Sequence, residues 1–377
     1  MNFQFSTAQQ ILFGEGRISE LSDLIKSQGN RPFFITGSTP SMLDTYLSGF
    51  KAEIYSFSGE PSVENVATAT AQAKEANADC VIGIGGGSPV DLAKAVAAML
   101  ANEGGLFEYL EVIGEGKPLP NPAKPIIAIP TTAGTGAEVT KNAVLFSPEH
   151  QVKVSLRHIS MLPTIALVDP ELTFDVPPSV TANTGLDALT QLIEVFLTRK
   201  ASPMTDALVR QALPAGANSL RKAFAEPHNS EARRNMSIAS LFSGLGLANS
   251  GLGAVHGYAG PIGGMIPIPH GSACAILLPH CLEKNAIAAR ESGNTELLNR
   301  FEALAQMVTG KPGSAEDVVQ WSRDISADVG IGKLSDHGFQ EHHIAELVTK
   351  AQRASSMKGN PVSLSDEVLT EILQAAM

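Results

Sequence analysis

Short β-branched runs alternate with helical stretches through the first half of this 377-residue chain, and then the alternation stops. The runs are Phe33-Phe34-Ile35-Thr36 and the segments 52–57, 80–84, 126–129 and 165–168. Between them, 63–76 and 89–100 carry helical spacing and are rich in alanine. Strand–helix–strand alternation builds βαβ units around a mainly parallel sheet. Segment 114–125 holds two Gly and four Pro and reads as a surface loop. From about residue 181 the pattern turns helical. Leu186, Leu189, Leu192, Ile193, Phe196 and Leu197 form one apolar helix face, and similar stretches continue to Ile372. The expected fold is an α/β domain with a mainly parallel sheet over 1–178 and an all-α domain over 179–377, divided near 175–182.

Composition narrows the function classes. At 44% hydrophobic and 17% charged residues the chain can bury a large core. Its net charge of −11 argues against nucleic-acid binding, which needs clustered Lys and Arg to neutralise phosphates. Arg199-Lys200, Arg221-Lys222 and Arg233-Arg234 are scattered pairs, each expected on a solvated helix face. No apolar run approaches the roughly 18–20 residues of a membrane span, so no membrane partner is expected. The start, Met1-Asn2-Phe3-Gln4-Phe5, lacks the marks of a signal peptide. Cys80, Cys274 and Cys281 are odd in number, lie in apolar surroundings and have no CxxC partner. They read as buried, reduced thiols of a cytoplasmic protein, with no thiol chemistry assigned.

Two glycine-rich segments follow expected strands. In Val81-Ile82-Gly83-Ile84-Gly85-Gly86-Gly87-Ser88-Pro89 a strand runs into glycines and then a helix. Glycines let the backbone approach a pyrophosphate, and the helix N-terminus offers free N–H groups. Ser88 suits the N-cap, Pro89 the first helical position and Asp91 the capping box. The loop is not a strict GxGxxG, and a plain strand–helix turn would read the same way. The second segment, 129–140, is Ile-Pro-Thr-Thr-Ala-Gly-Thr-Gly-Ala-Glu-Val-Thr. Its small hydroxyl and glycine residues can wrap phosphate or ribose.

In the helical half, Asp187 and Gln191 stand four apart on one helix face. Asp187, Thr190, Gln191, Glu194 and Thr198 would equally form an ordinary polar stripe. His256 and His270 lie in Gly-rich, apolar surroundings. One carboxylate and two imidazoles match the ligand count of an open catalytic metal site, although hydrogen-bonded core histidines would read alike. His280 is expected at a helix end. His150, His158, His228 and His337 are expected on the surface or in loops, and His342-His343 at a helix start.

The chain resembles the iron-containing (group III) alcohol dehydrogenase family. The matching stretches are GGGSPVDLAKA at 85–95, IPTTAGTGAEVT at 129–140, ALVDPEL at 166–172, TGLDALT at 184–190, VHGYAGPIGG at 255–264, PHG at 269–271 and LLPH at 277–280. They keep the family's order and extend to Asn360-Pro361, so the resemblance covers essentially the whole chain. It implies an N-terminal NAD(P)-binding α/β domain, a C-terminal helical metal domain and an active site in the cleft between them. It also implies that Gly85, Gly86, Gly87 and Ser88 hold a pyrophosphate. Asp91 belongs to the same motif. Thr131, Thr132 and Thr135 would line the rest of the coenzyme, and Lys153 would reach its ribose. NAD-preferring relatives often place an Asp at the position of Gly37. A carboxylate there repels a 2′-phosphate, whereas Gly37, Ser38 and Thr39 do not, so NADP is favoured over NAD.

By the same resemblance Asp187, His256 and His270 are metal ligands and catalytic residues. Gln191 stands where iron-type members carry a fourth, histidine ligand, so it is expected to bind only at times. Fe²⁺ or Zn²⁺ is expected, since glycerol dehydrogenases of the same superfamily use a three-ligand site. Gly260 replaces a further histidine that many members use for proton exchange. Its loss implies proton delivery through water or ribose hydroxyls, and a larger pocket. The expected function is an NAD(P)-linked, metal-dependent interconversion of a small alcohol and an aldehyde or ketone, in a homodimer. The two altered positions leave open a non-catalytic nucleotide-binding sensor or a dehydroquinate-synthase-like lyase. The second would need a Lys- and Arg-rich cleft that these motifs do not supply.

Overall fold

The structure, a computed structural model, describes residues 2–37, 53–150 and 152–377. The chain divides into two compact units, Ser6–Val176 and Pro177–Met377, the latter joined by the residues up to Phe5.

The first unit is built on a six-stranded sheet of β1 (Gln10–Phe13), β2 (Pro32–Thr36), β3 (Glu53–Ser56), β4 (Cys80–Gly85), β5 (Ile126–Pro130) and β8 (Ile165–Val168). Their order is β1-β8-β5-β4-β2-β3, and every pairing is parallel. Successive residues of a strand face opposite ways. Phe33, Ile35 and Val81 join the core under α2 (Val63–Glu75) and α3 (Gly87–Ala101). Phe34, Ile82 and Ile84 join the opposite core with Leu21 and Ile25 of α1 (Leu21–Gln28). With both faces covered, the inner strands β2, β4, β5 and β8 read as nearly unbroken apolar runs. A short helix, α4 (Leu106–Tyr109), precedes the 114–125 segment, which carries no helix or strand.

β4 lies between strands that precede it in the chain (β2, β3) and strands that follow it (β5, β8). Its C-terminal end is therefore a topological switch point, where open α/β sheets bind ligands. Two features went unforeseen in the sequence. β1 adds an edge strand, and β6 (Asn142–Ser147) with β7 (Val152–Arg157) forms a separate antiparallel pair.

Among its described residues the second unit has no strand. Its helices are α5 (Pro178–Leu197), α6 (Pro203–Ala225), α7 (Ser230–Ser250), α8 (Ala254–Met265), α9 (His270–Glu291), α10 (Thr295–Thr309), α11 (Ala315–Asp328), α12 (Ile344–Arg353) and α13 (Asp366–Ala376). Among the described residues no single helix is long and apolar enough to cross a membrane. The apolar face expected on α5 is buried, but so is everything else from Gly185 to Leu197. The reading of an ordinary polar stripe is thereby corrected. Asp187 and Gln191 are each 2% exposed, and Thr190, Glu194 and Thr198 are buried with them. Neighbouring helices close over the face that the sequence left polar. Arg233 is a second correction. It is buried, and its guanidinium donates to Thr181 Oγ1 at 2.9 Å and to the Pro227 carbonyl at 2.7 Å.

Candidate coenzyme and metal sites

The two glycine-rich loops meet at the switch point. Thr131 N–H donates to the Gly85 carbonyl at 2.9 Å. Gly85 has φ +145°, and a Cβ there would stand 2.7 Å from Pro89 Cγ. A Cβ on Gly87 would stand 2.8 Å from Thr135 Oγ1, and one on Gly86 would lie 3.4 Å from Thr132 Oγ1. Gly37, at the end of β2, places its backbone nitrogen 3.5 Å from the same Gly85 position. Gly37, Gly85–Gly87, Ser88, Thr131, Thr132 and Thr135 thus share one small cradle at the start of α3. At Gly85 the backbone conformation and the close approach of Pro89 favour glycine.

The expected capping of this helix is corrected. α3 starts at Gly87 with Gly86 as N-cap, and no side chain caps it. Ser88 and Pro89 therefore lie inside the first turn, whose N–H groups stay available for an anion. Asp91 is not a capping residue. Its carboxylate pairs with Lys94 at 2.7 Å and accepts Val144 N–H at 2.9 Å. Lys94, fully buried, also donates to the Ala137 carbonyl and Thr140 Oγ1, each at 2.9 Å. This lysine, singled out by no sequence argument, ties α3 to the second loop. Lys153 is engaged by Glu60 at 2.6 Å. Ser38 and Thr39 lie outside the described residues.

The second site forms where α5, α8 and α9 converge. His256 Nε2 is 3.1 Å from Asp187 Oδ1, and His270 Nε2 is 3.8 Å from the same oxygen. Cys274, one turn after His270 on α9, brings its Sγ to 3.6 Å from His256 Nε2 and 3.7 Å from His270 Nε2. One ligand atom from each of these four residues lies within 4.8 Å of all the others. Two donors at about 2.0–2.1 Å from one tetrahedral ion stand roughly 3.3 Å apart, between the two oxygen–nitrogen distances found here. The donor set therefore fits a divalent metal.

The surrounding shell is equally built. Glu194 accepts Val255 N–H at 2.7 Å and faces His256 Nδ1 at 2.6 Å. Asn360 Oδ1 accepts Ala254 N–H at 3.1 Å. α8 has only Gly253 as N-cap, so these distant side chains satisfy its first N–H groups. With Nδ1 held by Glu194, the ring turns Nε2 toward Asp187, as in carboxylate–histidine–metal arrangements. On the other side α5 and α9 approach at Gly271, where a Cβ would stand 1.9 Å from the Asn183 carbonyl oxygen. That close packing seats His270 at the first turn of α9.

Electrostatics follow from these contacts. Burial alone would raise the Asp187 carboxyl. The His270 and His256 imidazoles and a hydrogen bond from Gln191 outweigh it and hold the group below its ordinary range. Burial disfavours charge on His256, yet Cys274, Asp187 and Glu194 lift it well above its ordinary value. Burial likewise opposes charge on His270, but Cys274 and Asp187 raise it. Anionic donors facing two imidazoles are the field that draws a divalent cation. Gln191 Oε1 is buried without a hydrogen-bond partner. Such an orphan is rare in folded proteins and marks a place for another ligand.

Sequence reasoning found Asp187, Gln191, His256 and His270 but missed Cys274 and Glu194. The i, i+4 spacing from His270 was a signal for Cys274, masked because cysteine reads as a small apolar residue. Glu194 was absorbed into the polar stripe. His280 is not at a helix end but mid-way along α9, where burial lowers its pKa. A Cβ added at Gly260 would meet nothing within 4 Å.

Comparisons with known proteins agree with this architecture. Residues 8–170 match the family described as iron-containing alcohol dehydrogenase, and residues 181–377 match the C-terminal part of the Fe-containing alcohol dehydrogenase family. The chain is 34% identical to the probable alcohol dehydrogenase EutG of Escherichia coli (strain K12), over 99% of this chain and 94% of that protein. It is similar in structure to a 1,3-propanediol oxidoreductase, with TM-score 0.91, 31% identity and all of both chains covered. It is also similar to the sulfoacetaldehyde reductase of Bifidobacterium kashiwanohense in complex with NAD⁺. There the TM-score is 0.87 at 29% identity, covering 100% of this chain and 99% of that one.

Proposed function

This chain belongs to the iron-containing alcohol dehydrogenase family and is an alcohol–aldehyde oxidoreductase, and we propose how its own residues carry that activity. The convergence of Asp187, His256 and the half-buried His270 on one point is the observation that carries the reading. In it these three residues hold a divalent metal, Fe²⁺ or Zn²⁺, and act as the catalytic set. The cradle of Gly37, Gly85, Gly86, Gly87, Ser88, Thr131, Thr132 and Thr135 holds the coenzyme. Lys94 and Asp91 keep that cradle in shape. Lys153 is free to reach the ribose only by leaving Glu60.

When bound, the metal supplies Lewis acidity at the substrate oxygen, and the coenzyme supplies or accepts the hydride. The protein does the rest. Asp187, held ionised, sets the negative charge of the site. Glu194 fixes the His256 ring. Glycines at 85, 86 and 87 let the backbone reach the pyrophosphate, whose charge the first turn of α3 meets. Gly260 offers no proton-transferring group, so the proton leaves through water or a ribose hydroxyl. The space beside it admits a bulkier or more polar substrate than a short alcohol.

The absence of a carboxylate at Gly37 supports a preference for NADP(H). The NAD⁺ complex of the similar sulfoacetaldehyde reductase makes NAD(H) the competing choice. Initial rates over an aldehyde panel with each coenzyme, with and without added Fe²⁺ or Zn²⁺, test the whole reading. Faster turnover with NADPH and dependence on metal are expected. A strong NADH preference overturns the coenzyme assignment. Full activity without stoichiometric metal overturns the metal assignment. A homodimer is part of the same reading and is checked by light scattering.

A further inference from the structure

We propose that Cys274 is a fourth metal ligand in this chain, so that the centre is an Asp–His–His–Cys site with a preference for zinc over iron(II). The proposal rests on the reading that Asp187, His256 and His270 bind a metal.

The geometry is specific. With metal–sulfur about 2.3 Å and metal–nitrogen about 2.0–2.1 Å, the tetrahedral angle separates sulfur from nitrogen by roughly 3.6 Å. Cys274 Sγ stands 3.6 Å from His256 Nε2 and 3.7 Å from His270 Nε2. The sulfur therefore stands at tetrahedral edge length from both imidazoles at once. The thiol is fully buried among these donors, and Cys274 forms no disulfide.

A second observation is independent of the sulfur. Gln191, the residue at the fourth-ligand position of iron-type relatives, is 2% exposed. Its amide donates to Asp187, and its Oε1 has no hydrogen-bond partner. The side chain is thus oriented by Asp187 and contributes a neutral oxygen at most, a weaker donor than thiolate. A polar residue set beside the cluster, with an unmet acceptor, marks the place as built for a ligand. Cys274 then restores a four-donor count that Gln191 alone does not. A soft thiolate in place of an imidazole moves selectivity toward zinc-class ions. On binding, the Cys274 S–H bond breaks, its proton passes to solvent and the sulfur lone pair forms the bond to the metal.

The test uses the whole chain, stripped of metal and reloaded with Zn²⁺ or Co²⁺ alone. Metal K-edge absorption of the zinc form is expected to show one sulfur neighbour at about 2.3 Å beside nitrogen and oxygen at about 2.0–2.1 Å. The cobalt form is expected to show a near-ultraviolet thiolate-to-metal charge-transfer band. Cys274→Ser should lose that band, keep the visible cobalt transitions and bind zinc at least roughly tenfold more weakly. A nitrogen- and oxygen-only shell around zinc in the unaltered chain overturns the proposal and leaves the three-ligand reading standing. A chain that takes up neither ion overturns that reading, and the proposal with it. The unaltered chain decides the matter even if the variant does not fold.

Discussion

Replacing Glu138 by glutamine tests how the second glycine-rich loop is held. Glu138 is 2% exposed and lies in the short turn just after Thr135 and Gly136. Burial pushes its carboxyl up to about 7 from an ordinary 4.5, against a backbone hydrogen bond and the charge of Lys94, which lower it. Between the two values the native state holds a proton that the unfolded chain has released. Stability therefore falls as pH rises through that window and levels off above about 7. The difference of about 2.5 units corresponds to about 3 kcal/mol at 1.36 kcal/mol per unit, an upper bound for a buried group beside a lysine. Glutamine keeps the shape and cannot ionise. The variant should match the parent at pH 5 and exceed it by up to about 3 kcal/mol above pH 8. In a domain of this size that is a rise of roughly 6–12 °C in the melting point of the α/β unit. Scanning calorimetry from pH 5 to 9 is the suitable assay, because Trp321 belongs to the other unit and its fluorescence would not report this one. Parallel pH profiles for the two proteins would refute the argument.

Other perturbations separate the two sites. Glu194→Gln removes the charged partner of His256 Nδ1 and of the first N–H groups of α8, so zinc affinity should drop by roughly 10–100-fold with coenzyme affinity unchanged, as titration calorimetry would show. Gly85→Ala adds a Cβ 2.7 Å from Pro89 Cγ at φ +145°. It should cost about 1–3 kcal/mol of stability and weaken coenzyme binding at least tenfold while leaving zinc binding intact. Gly260→His fills open space, so it should narrow the range of aldehydes reduced and change the pH profile of kcat. Unchanged kinetics on the same panel would count against both roles given to that space.

Much of the fold was legible because its signals are local. The strand runs at 33–36, 80–84, 126–129 and 165–168, the helices between them and the change to helix near 181 each appear as periodicity within a few residues. So does the spacing that puts Asp187 and Gln191 on one helix face. β6 and β7 were overlooked although their signals are local: Val152-Lys153-Val154-Ser155-Leu156-Arg157 alternates apolar and polar, and Ser147-Pro148 marks a turn before it. The start of α3 was misplaced by two residues. Ser88 is a good N-cap by type, but the extended backbone at Gly86 starts the helix earlier.

The sequence by itself determined the class of the chain, the glycine loops and three of the candidate metal donors, because residue type and spacing encode local geometry and chemistry. Tertiary packing alone decided which polar residues would be dry. The same stripe on α5 would be a solvated surface if α8 and α9 did not close over it, and Glu194 would then orient nothing. Packing also set a cysteine of apolar character 3.6 Å and 3.7 Å from two imidazole nitrogens. Those roles arise where α8 and α9 meet α5, across separations of 62 and 80 residues from Glu194 to His256 and to Cys274, which no local pattern records.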